Sequence, residues 1–407
     1  MKILLVCHYF APEIGAPQAR LSEMAKVWAG DGHDVEVLTG MPNHPTGVIH
    51  DGYRNRRFMR EAKDGYRIIR TWLYATPNEG IARKTLGHLS FMVTGVLQAW
   101  RAVIKPDVVV VSSPTFFSIL TAWIHSRRFR APLVVEVRDL WPGIFVELGV
   151  LTNKQIIWLL ERLELAAYRA ASAVVVVTEG FKEDLVRRGV PANKVHVITN
   201  GVDTDRFTPG PAVPEVRARL GAAEDDTLAL YIGAHGISQG LHSVIEAAGL
   251  VDEKVKIAFV GEGADKKRLQ QLAAQSGSGN LSFHDGVDRD EVPDLIRSAD
   301  ILLVPLRDIP LFETFIPSKM FEFLAAEKAV IGSVAGEAAA ILERAGAMVI
   351  QPEDASALTS ALNDLAAAPE RRAAMAAAGR EFVHENYDRT ELARRYEGVL
   401  AGTMEER

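Results

Sequence analysis

A doubly wound α/β protein of two domains is what this sequence predicts, and three observations predict it. Short apolar runs alternate with helical patterns along the whole chain, the order of a repeated βαβ unit. Runs such as 108–111 and 174–177 are apolar on both faces, which suits parallel strands covered by helices on each side. The pattern then restarts after a Gly- and Pro-rich stretch at 200–214, NGVDTDRFTPGPAVP, which reads as a linker. A chain of 407 residues also exceeds what a single core usually organises.

In the first half, strands are predicted at 2–7, 34–39, 67–72, 107–111, 133–137, 173–178 and 195–198. An amphipathic helix at 16–29 stops near Gly30 and Gly32. The apolar stretch 86–104, LGHLSFMVTGVLQAWRAVI, is interrupted by His88, Gln98 and Arg101. It reads first as a buried crossover helix and second as a helix lying in a membrane interface, helped by Trp100 and basic flanks. The second half predicts strands at 228–233, 256–261, 281–284, 301–305, 329–333 and 348–351. Helices at 355–367, 370–385 and 389–402 close the chain.

Composition is that of an ordinary globular protein, 48% hydrophobic and 24% charged. The single cysteine, Cys7, lies in the run LLVC. It excludes intrachain disulfides, predicts a buried structural thiol and fits a reducing, cytoplasmic compartment. The apolar run at the N-terminus is too short for a signal peptide. Charge is uneven: residues 1–205 hold 25 Lys+Arg against 20 Asp+Glu, and the remainder holds 21 against 32. The basic excess clusters between Arg54 and Arg70 and again at Arg127, Arg128 and Arg130. A solvated surface explains such clusters; attraction to anionic lipid at the inner membrane face or to a phosphate-bearing substrate is the alternative. No nucleic-acid motif accompanies the charge.

The candidate chemistry centres on 305–332, PLRDIPLFETFIPSKMFEFLAAEKAVIG. Here a strand leads through a loop into a short helix opened by Pro317, then into another strand. Free N–H groups on Ser318 and Lys319 at that helix start form an anion site. Glu322 shares a face with both residues on a largely buried helix, so its carboxylate needs a partner. A Lys319–Glu322 ion pair is one reading. A phosphate at the helix start, with Glu322 accepting the hydroxyls of an attached sugar, is the reading preferred, because ligands of open α/β sheets bind where a parallel strand turns into a helix. Gly15, after the first strand, and the turns Gly233-Ala234-His235-Gly236 and Gly261-Glu262-Gly263 let backbone approach such a ligand closely. Asp139, in VRDLWP, either orients a sugar hydroxyl or caps a turn. The dinucleotide fingerprint, the Walker motif, metal-ligand spacing and a nucleophile–base arrangement are all missing.

These residues together resemble the retaining glycosyltransferases of sequence family 4. The resemblance runs from MKILLVCHYFAPEIG through TEGFKEDLVRRGVPANKVHVITNGVDTDRFTP to YIGAHGISQGL, FVGEG and FIPSKMFEFLAAEKAVI. It implies the GT-B fold: an acceptor-binding Rossmann-like domain at 1–208 and a nucleotide-sugar-binding one at 209–388, facing across a cleft, with a helix at 389–407 crossing back to the first. RDLWP and IPSKMFE resemble a branch that builds bacterial surface polysaccharides and lipid-linked glycans.

The resemblance also implies a donor site made of Gly15, His235, Gly236, Glu262, Val287, Glu313, Thr314, Ile316, Pro317, Ser318, Lys319 and Glu322. Asp139, Lys319 and Glu322 would serve catalysis. Glu322 matches the second of a pair of family glutamates; Thr314, with Glu313 beside it, stands where the first is expected. His235 or Gly236 and Gln239 stand where many members carry an Arg and a Lys, so Lys319 is the candidate replacement for that charge. The implied reaction moves a sugar from a nucleotide sugar, UDP-linked in this reading, to a glycan or lipid-diphosphate acceptor, with retention and without metal or cofactor. A nucleotide-sugar epimerase of the same fold and a non-catalytic nucleotide-sugar-binding subunit are the competing readings.

Overall fold

The computed structural model describes every residue except 14, 78–80, 113–115, 141, 144–145, 147–150 and 406–407, so Trp141 of the RDLWP motif lies outside the described residues. By its internal contacts the chain divides into two units, Met1–Thr199 with Arg389–Arg407, and Asn200–Asp388.

The first unit runs β1 (Lys2–Val6), α1 (Ala16–Gly30), β2 (Asp34–Gly40), β3 (Phe58–Lys63), β4 (Tyr66–Thr71), α2 (Ile81–Leu97), β5 (Val108–Ser112), α3 (Phe116–Phe129), β6 (Leu133–Val137), α4 (Lys154–Ala170), β7 (Ala173–Val176), α5 (Glu179–Arg187) and β8 (Val195–Val197). The second runs α6 (Pro214–Arg219), β9 (Thr227–Ile232), α7 (His242–Ala248), β10 (Val255–Val260), α8 (Lys266–Ser276), β11 (Leu281–His284), α9 (Val292–Ser298), β12 (Ile301–Pro305), α10 (Lys319–Ala325), β13 (Ala329–Ser333), α11 (Gly336–Arg344), β14 (Met348–Ile350), α12 (Ala355–Ala367) and α13 (Pro369–Asn386). Helix α14 (Arg389–Glu405) belongs to the first unit.

Each unit is built on one sheet, ordered β3-β4-β2-β1-β5-β6-β7-β8 in the first and β11-β10-β9-β12-β13-β14 in the second. All described pairings are parallel except β3 with β4. The central strands are buried along their whole length, as in VVVVS of β5 and ILLVP of β12. Parallel strands covered on both faces have no solvent side on which to place polar residues.

The first core gathers Ile3, Leu5, Trp28, Val110 and Val175 together with Leu392, Tyr396 and Leu400 of α14. Trp28 donates its indole N–H to the Ala393 carbonyl at 3.0 Å, and the Trp28 and Tyr396 rings meet edge to face. Cys7 is a buried free thiol whose pKa burial pushes up to about 12. Helix α14 is therefore part of this core.

Several expectations need correction. The basic run 54–67 contains strand β3, whose pattern is half-exposed and charged because it is an antiparallel edge. Arg70 is fully buried: it donates to Glu61 at 3.1 Å and to the carbonyls of Gly40 and Ala11. Arg67 is exposed and pairs with Asp34 at 2.6 Å and Glu36 at 3.4 Å, and Arg54, Arg56, Arg57, Arg60 and Lys63 are exposed too, so all of the cluster but Arg70 lies on the solvated surface expected of it. The predicted 86–104 helix begins at Ile81 and ends at Leu97. It is the crossover between β4 and β5, but it is not buried all round, since Leu86, Val93 and Leu97 are exposed. The stretch read as linker ends in α6, because Pro214 supplies a first helical residue.

Candidate active site

In the second unit the site is built at the carboxyl ends of β9, β10 and β12. Strand β9 ends at Ile232 and the chain turns at Gly233 with φ +139, a region glycine enters without strain. Strand β10 ends in the same way at Gly261, φ +147. The two turns interlock through backbone bonds, Gly233 N–H to Val260 O at 2.9 Å, His235 N–H to Glu262 O at 2.8 Å and Asp265 N–H to His235 O at 3.0 Å. A Cβ on Gly261 would lie 1.9 Å from the Gly233 carbonyl oxygen, and one on Gly263 2.2 Å from that of His235. Only bare backbone permits this approach.

Lys319 reaches this turn from α10. Its Nζ lies 3.9 Å from the centroid of the Tyr231 ring and would be 2.8 Å from a Cβ on Gly233. Tyr231 itself is fixed by donating its hydroxyl to Ala234 O at 2.6 Å. The ammonium is thus held over an aromatic face, against a strand end. Burial pushes its pKa down to about 7, and the charge of Glu322 only partly offsets this. Glu322 follows one turn later, half-buried between the buried Phe321 and Phe323.

Helix α10 opens at Lys319 rather than at Pro317. Ser318 precedes it with helical dihedrals, and Pro317 lies outside, its carbonyl accepting the Met320 N–H at 3.1 Å. The Phe321 N–H is taken by Ser318 O at 3.2 Å. Among the described residues the N–H groups of Ser318 and Lys319 have no backbone or side-chain acceptor. Ile316 is buried beneath the loop. Glu313 and Thr314 form part of a 3₁₀ turn, Pro310–Thr314, which packs on α11: a Cβ on Gly336 would meet the Glu313 carbonyl oxygen at 2.0 Å. The Thr314 hydroxyl is spent on Leu311 O at 2.9 Å, and the Glu313 side chain is exposed.

His235 is enclosed by Tyr231, Phe259 and Phe283, and among the described residues neither ring nitrogen has a hydrogen-bond partner. Burial, helped by Lys266 and Lys319, lowers its pKa to about 4, so the ring is neutral at physiological pH. Glu262 accepts from Lys266 Nζ at 2.8 Å and from the Gly286 N–H at 3.3 Å. Gly236 opens the short turn Ile237–Gln239, and Gln239 accepts from the Ser238 hydroxyl at 3.1 Å. Val287 lines a cavity of about 430 Å³ with Arg219, Val260, His284 and Asp288. Tyr231 and Lys266 carry this geometry, yet sequence reasoning does not single them out. Tyr231 stands inside a buried strand pattern that gives no hint of a cation above its ring.

In the first unit Gly15 precedes α1 in extended backbone, with Ala19 N–H bonded to its carbonyl at 3.0 Å. A Cβ there would fall 2.3 Å from Gln18 Oε1, a buried acceptor with no partner among the described residues. Asp139 follows β6 and is half-buried; burial raises its pKa against the pull of Arg138. Two guanidinium nitrogens of Arg138 are buried without a hydrogen-bond partner among the described residues, and burial lowers its pKa to about 10. Beneath it, Glu136 pairs with Arg20 at 2.9 Å and accepts from Ser112 at 2.7 Å. Glu13, another buried carboxylate, accepts the N–H groups of Phe10, Asn43 and His44 at 2.7–2.8 Å. Among the described residues no group of three His, Cys, Asp or Glu is placed to hold a metal ion.

Two parallel-sheet units with this loop chemistry define a glycosyltransferase of the GT-B fold. Residues 15–201 match the family described as Glycosyl transferase 4-like domain and residues 213–382 that described as Glycosyl transferases group 1, and the chain belongs to the glycosyltransferases that join these two domains. It is 27% identical to WcaI from Escherichia coli (strain K12), a glycosyl transferase assigned to colanic acid biosynthesis, over 99% of this chain and 100% of that protein. It is 26% identical to the D-inositol 3-phosphate glycosyltransferase of Xylanimonas cellulosilytica, covering 90% and 87%. Solved structures with the same fold include sucrose-phosphate synthase from Thermosynechococcus elongatus (TM-score 0.78, 19% identity, 100% of both chains) and WaaG, a glycosyltransferase involved in lipopolysaccharide biosynthesis (TM-score 0.69, 19% identity, 98% and 100%).

Proposed function

We propose that this glycosyltransferase moves a hexose, with retention, from a UDP-linked donor to a glycan or lipid-diphosphate acceptor in the assembly of a bacterial surface polysaccharide. The observation that carries the reading is Lys319. A lysine held over Tyr231, beside Gly233 and the open N–H groups of Ser318 and Lys319, is placed to take the charge of a leaving diphosphate. The full-length likeness to WcaI supports the pathway, and HepE of the same fold, at 17% identity and TM-score 0.74, was crystallised with UDP and glucose.

The bond between the sugar C1 and the diphosphate oxygen breaks while the acceptor oxygen bonds to C1 on the same face. The acceptor proton passes to the departing phosphate oxygen. Lys319 and the adjacent N–H groups stabilise the developing charge without a metal, and Glu322 accepts hydroxyls of the bound nucleotide. Asp139 orients the donor sugar or the acceptor. The enzyme acts in the cytoplasm.

Thermal stabilisation by UDP, GDP, ADP and dTDP compounds, free and sugar-linked, tests the donor site, because a ligand of the folded state raises its apparent stability. A shift confined to the uridine compounds is expected; no shift with any compound would leave the reading without a donor. Product analysis with a purified lipid-diphosphate acceptor then separates transfer from epimerisation, in which altered sugar appears with no acceptor present.

A further inference from the structure

The outer face of α2 and α3 carries an apolar surface that the donor chemistry does not use. The two helices lie side by side: Thr121 donates to Met92 O at 3.2 Å, and His125 meets Gly95 O at 3.0 Å. Turned away from that contact, Leu97 is 69% exposed, Trp100 and Trp123 40% each, and Val93 and Leu120 are likewise exposed. Large apolar side chains grouped in this way mark a site of interaction.

The charge around them has one sign. Neither 81–106 nor 116–135 contains an Asp or Glu, while together they hold seven Lys and Arg. The cations are laid against the aromatic rings: Arg128 sits 4.1 Å from the Trp100 centroid and Arg127 5.7 Å from that of Trp123. Arg60 joins them by donating to Ala102 O at 3.2 Å. Beside Trp123 a cavity of about 640 Å³ opens at the amino end of β6, lined by Arg127, Arg130 and Lys194 and, among the described residues, by no carboxylate. It lies at the end of the sheet opposite Asp139.

We propose that this face is a docking surface for an anionic phospholipid bilayer, with Leu97, Trp100, Leu120 and Trp123 entering the interface and the Arg127–Arg130–Lys194 cavity receiving a lipid phosphate. Tryptophan favours the headgroup level, and each surface Lys or Arg adds attraction to an anionic leaflet. A second copy of the chain is a poor occupant, since two faces of the same positive sign would meet. The exposed apolar residues of α4 (Ile156, Trp158, Leu159, Leu163) share their helix with Glu161 and Glu164, so that helix lacks this one-signed surround. Among the described residues no helix is long and apolar enough to cross a membrane, so the contact lies in the plane of the surface.

Co-sedimentation of the full chain with phosphatidylcholine vesicles, with and without phosphatidylglycerol, tests this. Binding is expected only with phosphatidylglycerol, weakening as salt rises and accompanied by a blue shift of tryptophan emission. Trp100→Ala with Trp123→Ala, and separately Arg127→Glu with Arg130→Glu, should each weaken it by about tenfold or more; all four side chains reach the surface, and unchanged melting would confirm folding. Trp158→Ala, on α4, should leave it unchanged. Absence of binding at low salt, equal binding to both vesicle types, or loss with Trp158→Ala in place of the α2–α3 variants would overturn the proposal. So would displacement by free glycerol 3-phosphate, which would make the cavity a soluble-phosphate site, or a salt-sensitive dimer that the tryptophan changes dissolve.

Discussion

In the proposed donor site Lys319 is the side chain on which the charge of the leaving group would fall. With a pKa near 7, its ammonium is only partly populated at neutral pH, and a bound diphosphate would favour the charged form. The attraction is therefore fully present below that pKa and is lost as pH rises through it. UDP affinity, measured calorimetrically, should fall above pH 7 with a slope approaching about tenfold per pH unit. Lys319→Met should weaken binding at pH 6.5 and flatten that slope; an unchanged profile would place the charge elsewhere. Glu322→Ala should abolish transfer while circular dichroism and melting stay as in the parent, and retained activity would remove Glu322 from the site. The presence of both residues is legible from the spacing of Ser318, Lys319 and Glu322. The cation over Tyr231 is not, because it depends on two strands and a helix meeting.

At the scale of elements, two devices hold the sites in place. The interlocked turns after β9 and β10 leave no room for a side chain at Gly261, where both φ and the Gly233 carbonyl exclude one. Gly261→Ala should cost about 2–4 kcal/mol in urea unfolding, whereas the same change at the exposed, open Gly279 should cost far less. In the first unit α1 is tied to β6 by Arg20 and Glu136, both almost fully buried, with Arg20 also donating to the Ile198 and Thr199 carbonyls. Arg20→Ala would strand a buried carboxylate and should cost about 3–5 kcal/mol. Burial alone would raise the Glu136 pKa, but Arg20, Arg138 and Ser112 hold it below its ordinary value. That contribution is present above the unfolded carboxyl pKa of about 4.3 and disappears as pH falls through the lower folded value. The stability gap between the parent and Glu136→Gln should therefore close as pH falls through the lowered folded value of Glu136.

For the whole molecule, the last helix is a core element of the first unit despite its distance in sequence. Leu392, Tyr396 and Leu400 of α14 are buried against α1 and Trp28. A chain ending at Asp388 should lose the first unit's cooperative melting transition or shift it down by on the order of 10 °C, and should aggregate through the uncovered Trp28 surface. Melting equal to the parent would show that α14 is dispensable.

The alternation of strand and helix, the doubly apolar runs and the linker composition are enough to place every parallel strand among the described residues, helped in the central strands by the unbroken hydrophobic signature that burial on both faces leaves. Edge strand β3 escapes, since a half-exposed antiparallel edge reads as a charged loop. Arg70 escapes the solvated-surface reading of its basic cluster for a related reason. Composition counts charges, but whether an arginine faces water or spans a carboxylate and two carbonyls is settled by partners far away in sequence. Which residues occupy the strand-end loops is thus determined locally; tertiary packing decides which of them meet, which charges are silenced, and which apolar faces are left uncovered.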